Sequence, residues 1–300
     1  MFRRPAGYKY LTPEAVMRLQ NLGLIAATVV DGFMAGLHRS PYHGFSVEFS
    51  DHREYSPGDN LRYVDWQAYA RTDRYYVKQF EEETNLRCHL LLDASSSMSY
   101  SSGKTTKFEY GAYLAASLAY LMVRQRDSVS LVTFDNRIRF RTPPGSTTSH
   151  LDRLLVQLEK TAPSERTGIA GAFHGLAQNI TKRGLIVIIS DLLDDERAIF
   201  RALRHFRRRK HEVIIFHVLD PAEIDFPFRR LSEFHDLETG DRIRAEPSYV
   251  RAEYLKELNA FLSNLRRGCA DGLIEYVLAD TRRPFEMMLS AYLDKRKRLG

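Results

Sequence analysis

Short apolar runs alternate with amphipathic segments over most of this 300-residue chain, and this alternation limits the possible folds more than any other feature. Buried strands are predicted at residues 88–92, 128–134, 185–190, 212–219 and 273–278, with antiparallel hairpins near 138–140 and over 231–246. Helices are predicted at 107–126, 149–161, 170–181, 194–209, 249–267 and 284–296, where apolar residues recur at helical spacing. Strands that are apolar on both faces need helices on both sides of the sheet. The pattern therefore predicts an α/β fold with a doubly wound, mostly parallel sheet.

The first ~85 residues have a different pattern. A helix is predicted at residues 13–30, followed by a segment at 36–74 that is rich in Gly, His, Tyr, Arg and Asp and has little helical period. A short strand around Val47 and Phe49 is predicted to pair with residues 77–80. We therefore predict two domains: residues 1–85 form an N-terminal helix with a wrap or small subdomain, and residues 86–300 form the α/β domain.

Cysteine content, apolar segments and charge narrow the possible classes of protein. Cys88 and Cys269 lie beside apolar runs and are predicted to be buried free thiols in a reducing compartment. No apolar segment of a signal peptide follows the basic N-terminus, and Leu22–Val30 is shorter than the ~20 residues that span a membrane. We therefore expect a cytoplasmic protein without membrane contact. The net charge of +6 is small, and the basic runs at 207–210 and 295–298 lack interleaved aromatic residues, which disfavours nucleic acid as a partner.

The most specific motif follows the first buried strand. Asp93, Ser95 and Ser97 form a D-x-S-x-S pattern, and Asp191 ends the strand at 185–190. The carboxyl ends of parallel strands share one edge of a sheet, so these oxygens are expected to converge, with Thr167 contributing from a nearby loop. Each residue alone is also a plausible turn or helix cap. Together they predict a Mg²⁺ site, because Mg²⁺ prefers hard oxygen ligands.

These five residues resemble the metal-ion-dependent adhesion site of von Willebrand factor A-type domains. The resemblance implies that the Ser and Thr hydroxyls bind Mg²⁺ directly, that the aspartates act largely through waters, and that one position stays open for a carboxylate of a partner protein. Mn²⁺ or Ca²⁺ are alternative cations. Arg166 stands where the family commonly has glycine before the threonine.

A second resemblance covers residues 36–296. Residues 49–66 contain Y-x-P-G-D-x-x-R-x-x-D-W, and this segment, with Ala70-Arg71, 234–240 and 281–296, is similar to the bacterial domain-of-unknown-function 58 family. The resemblance implies an A-type domain commonly encoded with a MoxR-type AAA+ ATPase, and hence an adaptor or chaperone-like role. The charged residues of the segment are predicted to form an ion-pair cluster around Trp66: Asp59, Arg62, Asp65 and Arg71.

Motifs for the common hydrolytic and phosphoryl-transfer chemistries are missing. The chain has no G-x-S-x-G elbow, and Gly103-Lys104-Thr105 lacks the preceding glycine of a phosphate-binding loop. Asp93 has no second acid two residues later, as an aspartyl phosphatase would need. We therefore predict a non-catalytic protein-interaction module that binds Mg²⁺ and captures an acidic side chain. The alternative is a Mg²⁺-dependent hydrolase of phosphate esters.

Overall fold

The computed structural model describes residues 21–38, 52–54, 69, 75–78, 86–164 and 168–297. The strands are β1 His52–Glu54, β2 Tyr76–Lys78, β3 Arg87–Asp93, β4 Ser128–Phe134, β5 Ile138–Arg141, β6 Leu185–Ser190, β7 Glu212–Leu219, β8 Ser232–His235, β9 Arg242–Ala245 and β10 Glu275–Asp280. The α-helices are α1 Leu22–His38, α2 Lys107–Arg124, α3 Thr148–Lys160, α4 Ile169–Asn179, α5 Glu196–Arg208, α6 Pro221–Asp225, α7 Pro247–Asp271 and α8 Glu286–Lys297. A short 3₁₀ turn covers Ser96–Ser99.

Six strands form the central sheet in the order β10-β7-β6-β3-β4-β5. All neighbouring strands are parallel except β5, which runs antiparallel to β4. The predicted doubly wound, mostly parallel α/β fold is therefore confirmed. From β3 the chain builds outward through β4 and β5, and then returns to the other side of β3 with β6. The reversal between β3 and β6 is the position at which doubly wound sheets form a crevice.

Two apolar layers hold the helices against the sheet. On one side, Phe173 of α4 packs edge-on between Phe134 of β4, at 5.1 Å, and Phe206 of α5, at 5.6 Å between ring centroids. Tyr110 of α2 stacks on Phe285 at 4.7 Å. Every residue of β6 is buried, as its continuous apolar sequence predicts. Cys88 and Cys269 are buried and free, which agrees with the prediction.

Several strands and helices have bounds that differ from the predicted ones. The last strand is β10 Glu275–Asp280, not residues 273–278, because Leu273 has a φ of 54° and is 70% exposed in the turn after α7. Helix α6 was not predicted, although Asp220 and Glu223 form a capping box around a proline in its first turn. Helix α1 extends to His38 rather than ending at Val30; the earlier residues of the predicted 13–30 helix lie outside the described part of the chain.

The chain divides into two compact units, residues 1–36 with 85–300, and residues 37–84. In the larger unit, α1 buries Ile25, Val29 and Phe33, and no described helix is long and apolar enough to cross a membrane. In the smaller unit, β1 and β2 pair antiparallel, whereas the strand predicted around Val47 and Phe49 lies outside the described residues. The other residues of that prediction lie outside the described part, as do Asp59, Arg62, Asp65, Trp66 and Arg71. The predicted domain boundary after residue 85 stays a prediction.

Candidate functional site

Every parallel strand of the central sheet ends at, or is directly followed by, a buried aspartate. These residues are at most 5% exposed and lie at the same edge of the sheet: Asp93, Asp135, Asp191, Asp220 and Asp280. Three of these aspartates have partners close to them in the sequence, which explains their burial: Asp135, Asp220 and Asp280. Asp280 pairs with Arg282 at 2.8 Å, Asp220 caps α6, and Asp135 pairs with Arg139 at 3.2 Å. The two aspartates that the sequence singled out flank the reversal between β3 and β6.

The D-x-S-x-S segment turns at the end of β3 as predicted. Asp93 is fully buried, and its Oδ1 accepts a hydrogen bond of 2.9 Å from the backbone N–H of Ser95. The Oγ atoms of Ser95 and Ser97 lie 3.0 Å apart. A carboxylate that bonds the N–H two residues later fixes a tight turn. The structure thus brings Asp93, Ser95 and Ser97 together within one buried turn.

Ser190, the last residue of β6, belongs to this site and was missed in the sequence. Its hydroxyl donates a 2.5 Å hydrogen bond to Oδ2 of Asp93 and accepts one of 2.9 Å from the N–H of Leu192. The hydroxyl therefore links the ends of β3 and β6 directly. The available signal was a hydroxyl residue closing an otherwise apolar run, immediately before Asp191.

Lys107 is the second residue that sequence reasoning missed. Its ammonium group is fully buried and donates to Oδ2 of Asp191 at 2.8 Å and to Oε1 of Glu223 at 2.7 Å. Burial by itself lowers the pKa of Lys107, but the two carboxylates outweigh burial and raise this pKa above its ordinary value. Lys107 therefore stays charged and serves as a built-in counter-ion between β6 and α6. No sequence spacing indicates these partners, which are 84 and 116 residues away.

His217 holds the backbone of Asp191 in place. Its Nε2 lies 2.8 Å from the carbonyl oxygen of Asp191, and its Nδ1 lies 2.6 Å from the hydroxyl of Tyr276. Burial lowers the pKa of His217 to about 4, so the ring is neutral at pH 7. Because a carbonyl only accepts, Nε2 carries the proton and Nδ1 accepts from Tyr276. A neutral imidazole thus positions Asp191 without adding charge.

The two aspartates influence each other electrostatically. Burial, reinforced by the negative charge of Asp191, raises the pKa of Asp93 to about 7, although hydrogen bonds from Ser190 and Ser95 oppose this rise. Burial also raises the pKa of Glu223, despite its contact with Lys107. Lys107 thus pairs with two of the three carboxyl groups in this corner, and a further cation would lower the electrostatic free energy of the site.

The donor set fits a small hard cation held partly by hydroxyls. No group of three or more His, Cys, Asp or Glu residues able to hold a metal occurs within the described ranges, so a cage built from those side chains alone is not present there. Asp93 and Asp191 offer carboxylate oxygens, and Ser95 and Ser97 offer hydroxyls, a combination that suits Mg²⁺ with its one or two carboxylates and retained waters. Thr167, the fifth predicted ligand, lies outside the described residues.

Comparisons with known proteins give relatives without an assigned activity. Uncharacterized proteins of Mycobacterium tuberculosis and Mycobacterium bovis are each 28% identical over 219 residues, which is 72% of this chain and 68% of theirs. Among solved structures, a conserved hypothetical protein BatB from Bacteroides thetaiotaomicron is 17% identical, with a TM-score of 0.48 over 71% of this chain and 99% of that one. An aerotolerance-related membrane protein from Bacteroides fragilis is 20% identical, with a TM-score of 0.48 over 70% and 99%. Residues 51–260, more than half of this chain, match the family described as Protein of unknown function DUF58, and the protein therefore belongs to the DUF58 family.

Proposed function

We propose that this protein binds Mg²⁺ between the ends of β3 and β6 and uses that site to capture an acidic side chain of a partner protein. Asp93, Ser95, Ser97 and Asp191 would hold the cation, with Thr167 as the fifth predicted ligand. Bound Mg²⁺ would supply an electrophilic position that a carboxylate can occupy. The role is that of a non-catalytic interaction module, as the resemblance to von Willebrand factor A-type domains implies.

The observation that carries this proposal is a buried excess of negative charge at the reversal point of the sheet. Asp93 is fully buried, its hydrogen-bond partners are the neutral Ser95 and Ser190, and Lys107 pairs with Asp191 and Glu223 instead. Holding buried carboxylates without a matching cation is unfavourable. A site that keeps such a charge is the arrangement expected of a cation-binding centre.

The hydrogen bonds at the site leave acceptor positions for ligands. Each carboxylate oxygen can accept about two hydrogen bonds. Within the described residues, Oδ1 of Asp93 accepts from the backbone N–H of Ser95, and Oδ2 accepts from the hydroxyl of Ser190. Within the described part of the chain, Oδ1 of Asp191 accepts a long bond of 3.4 Å from the N–H of Leu193. Both aspartates therefore retain lone pairs that can hold metal-bound waters, which is the role that the resemblance gives them.

A MoxR-type AAA+ ATPase is the proposed partner, and an adaptor or chaperone-like activity is the proposed context. The support for this partner is the resemblance of residues 49–66 and 234–240 to a family commonly encoded beside such ATPases. An acidic side chain presented by the ATPase would reach the site at the carboxyl edge of the sheet.

Metal binding is tested by titrating the purified protein with MgCl₂ in a calorimeter. We expect saturable binding that is lost in Asp93→Asn and strongly weakened in Ser97→Ala, and that is unchanged in Ser149→Ala, whose exposed side chain lies on α3. Circular dichroism checks that each variant is folded. Binding of equal strength in Asp93→Asn would overturn the proposed site.

Partner capture is tested with a purified MoxR-type AAA+ ATPase immobilised on a biosensor. We expect association in MgCl₂ and its loss in EDTA or with Asp93→Asn. Undiminished association in EDTA would overturn carboxylate capture. Steady Mg²⁺-dependent hydrolysis of p-nitrophenyl phosphate that disappears with Asp93→Asn would instead favour the phosphate-ester hydrolase.

A further inference from the structure

An aromatic cleft of about 460 Å³ opens beside the candidate metal site. Four rings form its apolar part, with Phe226 lying 4.6 Å from Tyr254 and 5.1 Å from Phe228, and Phe234 lying 5.2 Å from Phe228, between ring centroids. Phe226 is almost fully buried and has a φ of 44°, a left-handed conformation that is unfavourable for a residue with a side chain. The fold therefore holds this ring in the lining of the cleft at some energetic cost.

The β8–β9 hairpin forms one wall of this cleft and has two chemically different faces. Glu233 pairs with Arg244 at 2.9 Å, and His235 and Arg242 also contact Glu233, so these residues share a charged face. Phe234 lies directly opposite Ile243 in the register, so these two side chains share the other face. Phe234 lines the cleft, whereas Ile243 is 66% exposed. The apolar lining thus continues onto an exposed apolar side chain.

The cleft and the candidate metal site share residues. Ser97, Lys107 and Glu223 line the cleft, and the same three belong to or contact the cluster at the ends of β3 and β6. The lining also contains the four aromatic rings and Leu237, which is 46% exposed. One depression therefore combines polar groups of the predicted metal site with apolar side chains.

The charges of the lining restrict what can enter. Its acidic members are Glu223, Asp236 and Glu238, and its basic members are Lys107, which is already paired, and His235. A carboxylate is repelled from this depression unless a further cation is present, whereas an uncharged ring is not. A ligand with an acidic and an apolar group therefore matches this lining only in the cation-loaded protein.

We infer that the aromatic cleft binds an apolar side chain of the same partner segment that supplies the acidic side chain to the metal site. The occupant is an extended peptide with Asp or Glu two residues from Phe, Tyr, Trp or Leu, since alternate side chains of an extended chain lie on the same side. This inference rests on the proposed function and adds to it the specificity of the partner. Burial of one such side chain is expected to strengthen binding by about tenfold or more.

The test is selection of phage-displayed random heptapeptides on the immobilised full chain, in MgCl₂ and in EDTA. We expect selected peptides to combine an acidic residue with an apolar residue at the stated spacing, in MgCl₂ only. A synthetic peptide of the selected sequence should bind about tenfold more weakly to Phe234→Ser and to Leu237→Ser. It should bind with unchanged affinity to Val156→Ser, which alters an exposed apolar residue on α3.

The outcomes separate this inference from the function on which it rests. Mg²⁺-dependent selection of acidic peptides without any apolar preference would overturn the cleft as a subsite and leave the metal site standing. Equal selection in EDTA, or selection of basic peptides, would overturn both. Leu237→Ser guards the test against misfolding, because the Leu237 side chain is half-exposed and its loss costs little packing.

Discussion

Replacing Lys107 with methionine should destabilise the metal-free protein by about 3–5 kcal/mol. Methionine keeps most of the length and volume of the side chain but removes the ammonium that contacts Asp191 at 2.8 Å and Glu223 at 2.7 Å. At an effective dielectric constant of about 20, each contact represents roughly 6 kcal/mol of Coulomb attraction. The cost of burying the charges offsets much of that attraction. The expected loss of about 3–5 kcal/mol in the free energy of unfolding is therefore smaller than the Coulomb attraction. It arises because the variant leaves two buried carboxylates without their cation.

Chemical denaturation at pH 7.5 in EDTA measures this loss, and differential scanning calorimetry should show a fall in Tm of roughly 10 °C. The charge of Lys107 does not titrate in this experiment. Asp191 and Glu223 outweigh the effect of burial and raise its pKa above 10.5, so its contribution is fully present below that pH. Removing the ammonium also removes a competitor for Asp191, so Mg²⁺ should bind the variant more tightly. At a Mg²⁺ concentration about 100-fold above the dissociation constant, binding restores about 2.7 kcal/mol.

Two further variants make this prediction refutable. Lys104→Met removes an exposed lysine three residues away and should change the free energy of unfolding by less than about 0.5 kcal/mol. Lys107→Met combined with Glu223→Gln leaves one fewer uncompensated carboxylate and should recover part of the loss. A loss in Lys107→Met no larger than that in Lys104→Met would refute the assignment of Lys107 as the internal counter-ion. If Mg²⁺ does not reduce the stability loss of Lys107→Met, the proposed competition between Lys107 and Mg²⁺ for Asp191 is contradicted.

Two other predictions concern the pH dependence of stability and the packing at the start of β6. Burial and the charge of Asp191 raise the pKa of Asp93 from 3.8 to about 7, so its carboxylate opposes folding above pH 7, and this effect declines steadily as the pH falls from 7 toward 3.8. In EDTA, urea titrations should show the stability of the wild-type protein rising relative to Asp93→Asn as the pH falls from about 7.5 to 5.5, and parallel curves would contradict the burial of this charge. A Cβ at Gly184 would lie 2.3 Å from the carbonyl oxygen of Arg87, whereas one at Gly103 would have no atom within 4 Å. Gly184→Ala should therefore cost about 1–3 kcal/mol in the same titrations and Gly103→Ala almost nothing, and equal stabilities would contradict the close approach of the two chain segments.

Local sequence patterns predicted the elements of the central sheet well. The strands at 128–134, 185–190 and 212–219 have the predicted bounds, because a strand buried on both faces is mostly apolar and stands out from the polar segments around it. The ends of helices and the start of β10 were predicted less well. Whether Leu273 lies in a turn or a strand depends on what covers it, and its sequence neighbours carry no such information.

The positions of four residues at the candidate site could also be predicted from local sequence and strand order. Asp93 and Asp191 follow apolar runs, and chain topology alone brings the ends of neighbouring parallel strands together. Ser95 and Ser97 lie within four residues of Asp93, so a single turn determines their positions. These residues required only local conformation and the order of the strands.

The order of apolar and polar residues specifies the alternation of strands and helices, and with it an α/β sheet whose acidic strand ends share one edge. Which distant side chains complete that edge depends on tertiary packing. Lys107 meets Asp191 across 84 positions of sequence, Ser190 meets Asp93 across 97, and the rings around Phe226 meet a hairpin wall to form a cleft. Such contacts follow from how helices and loops pack on the sheet. The partner of a buried charge is whichever group lies close to it in the folded structure, whatever the separation along the chain.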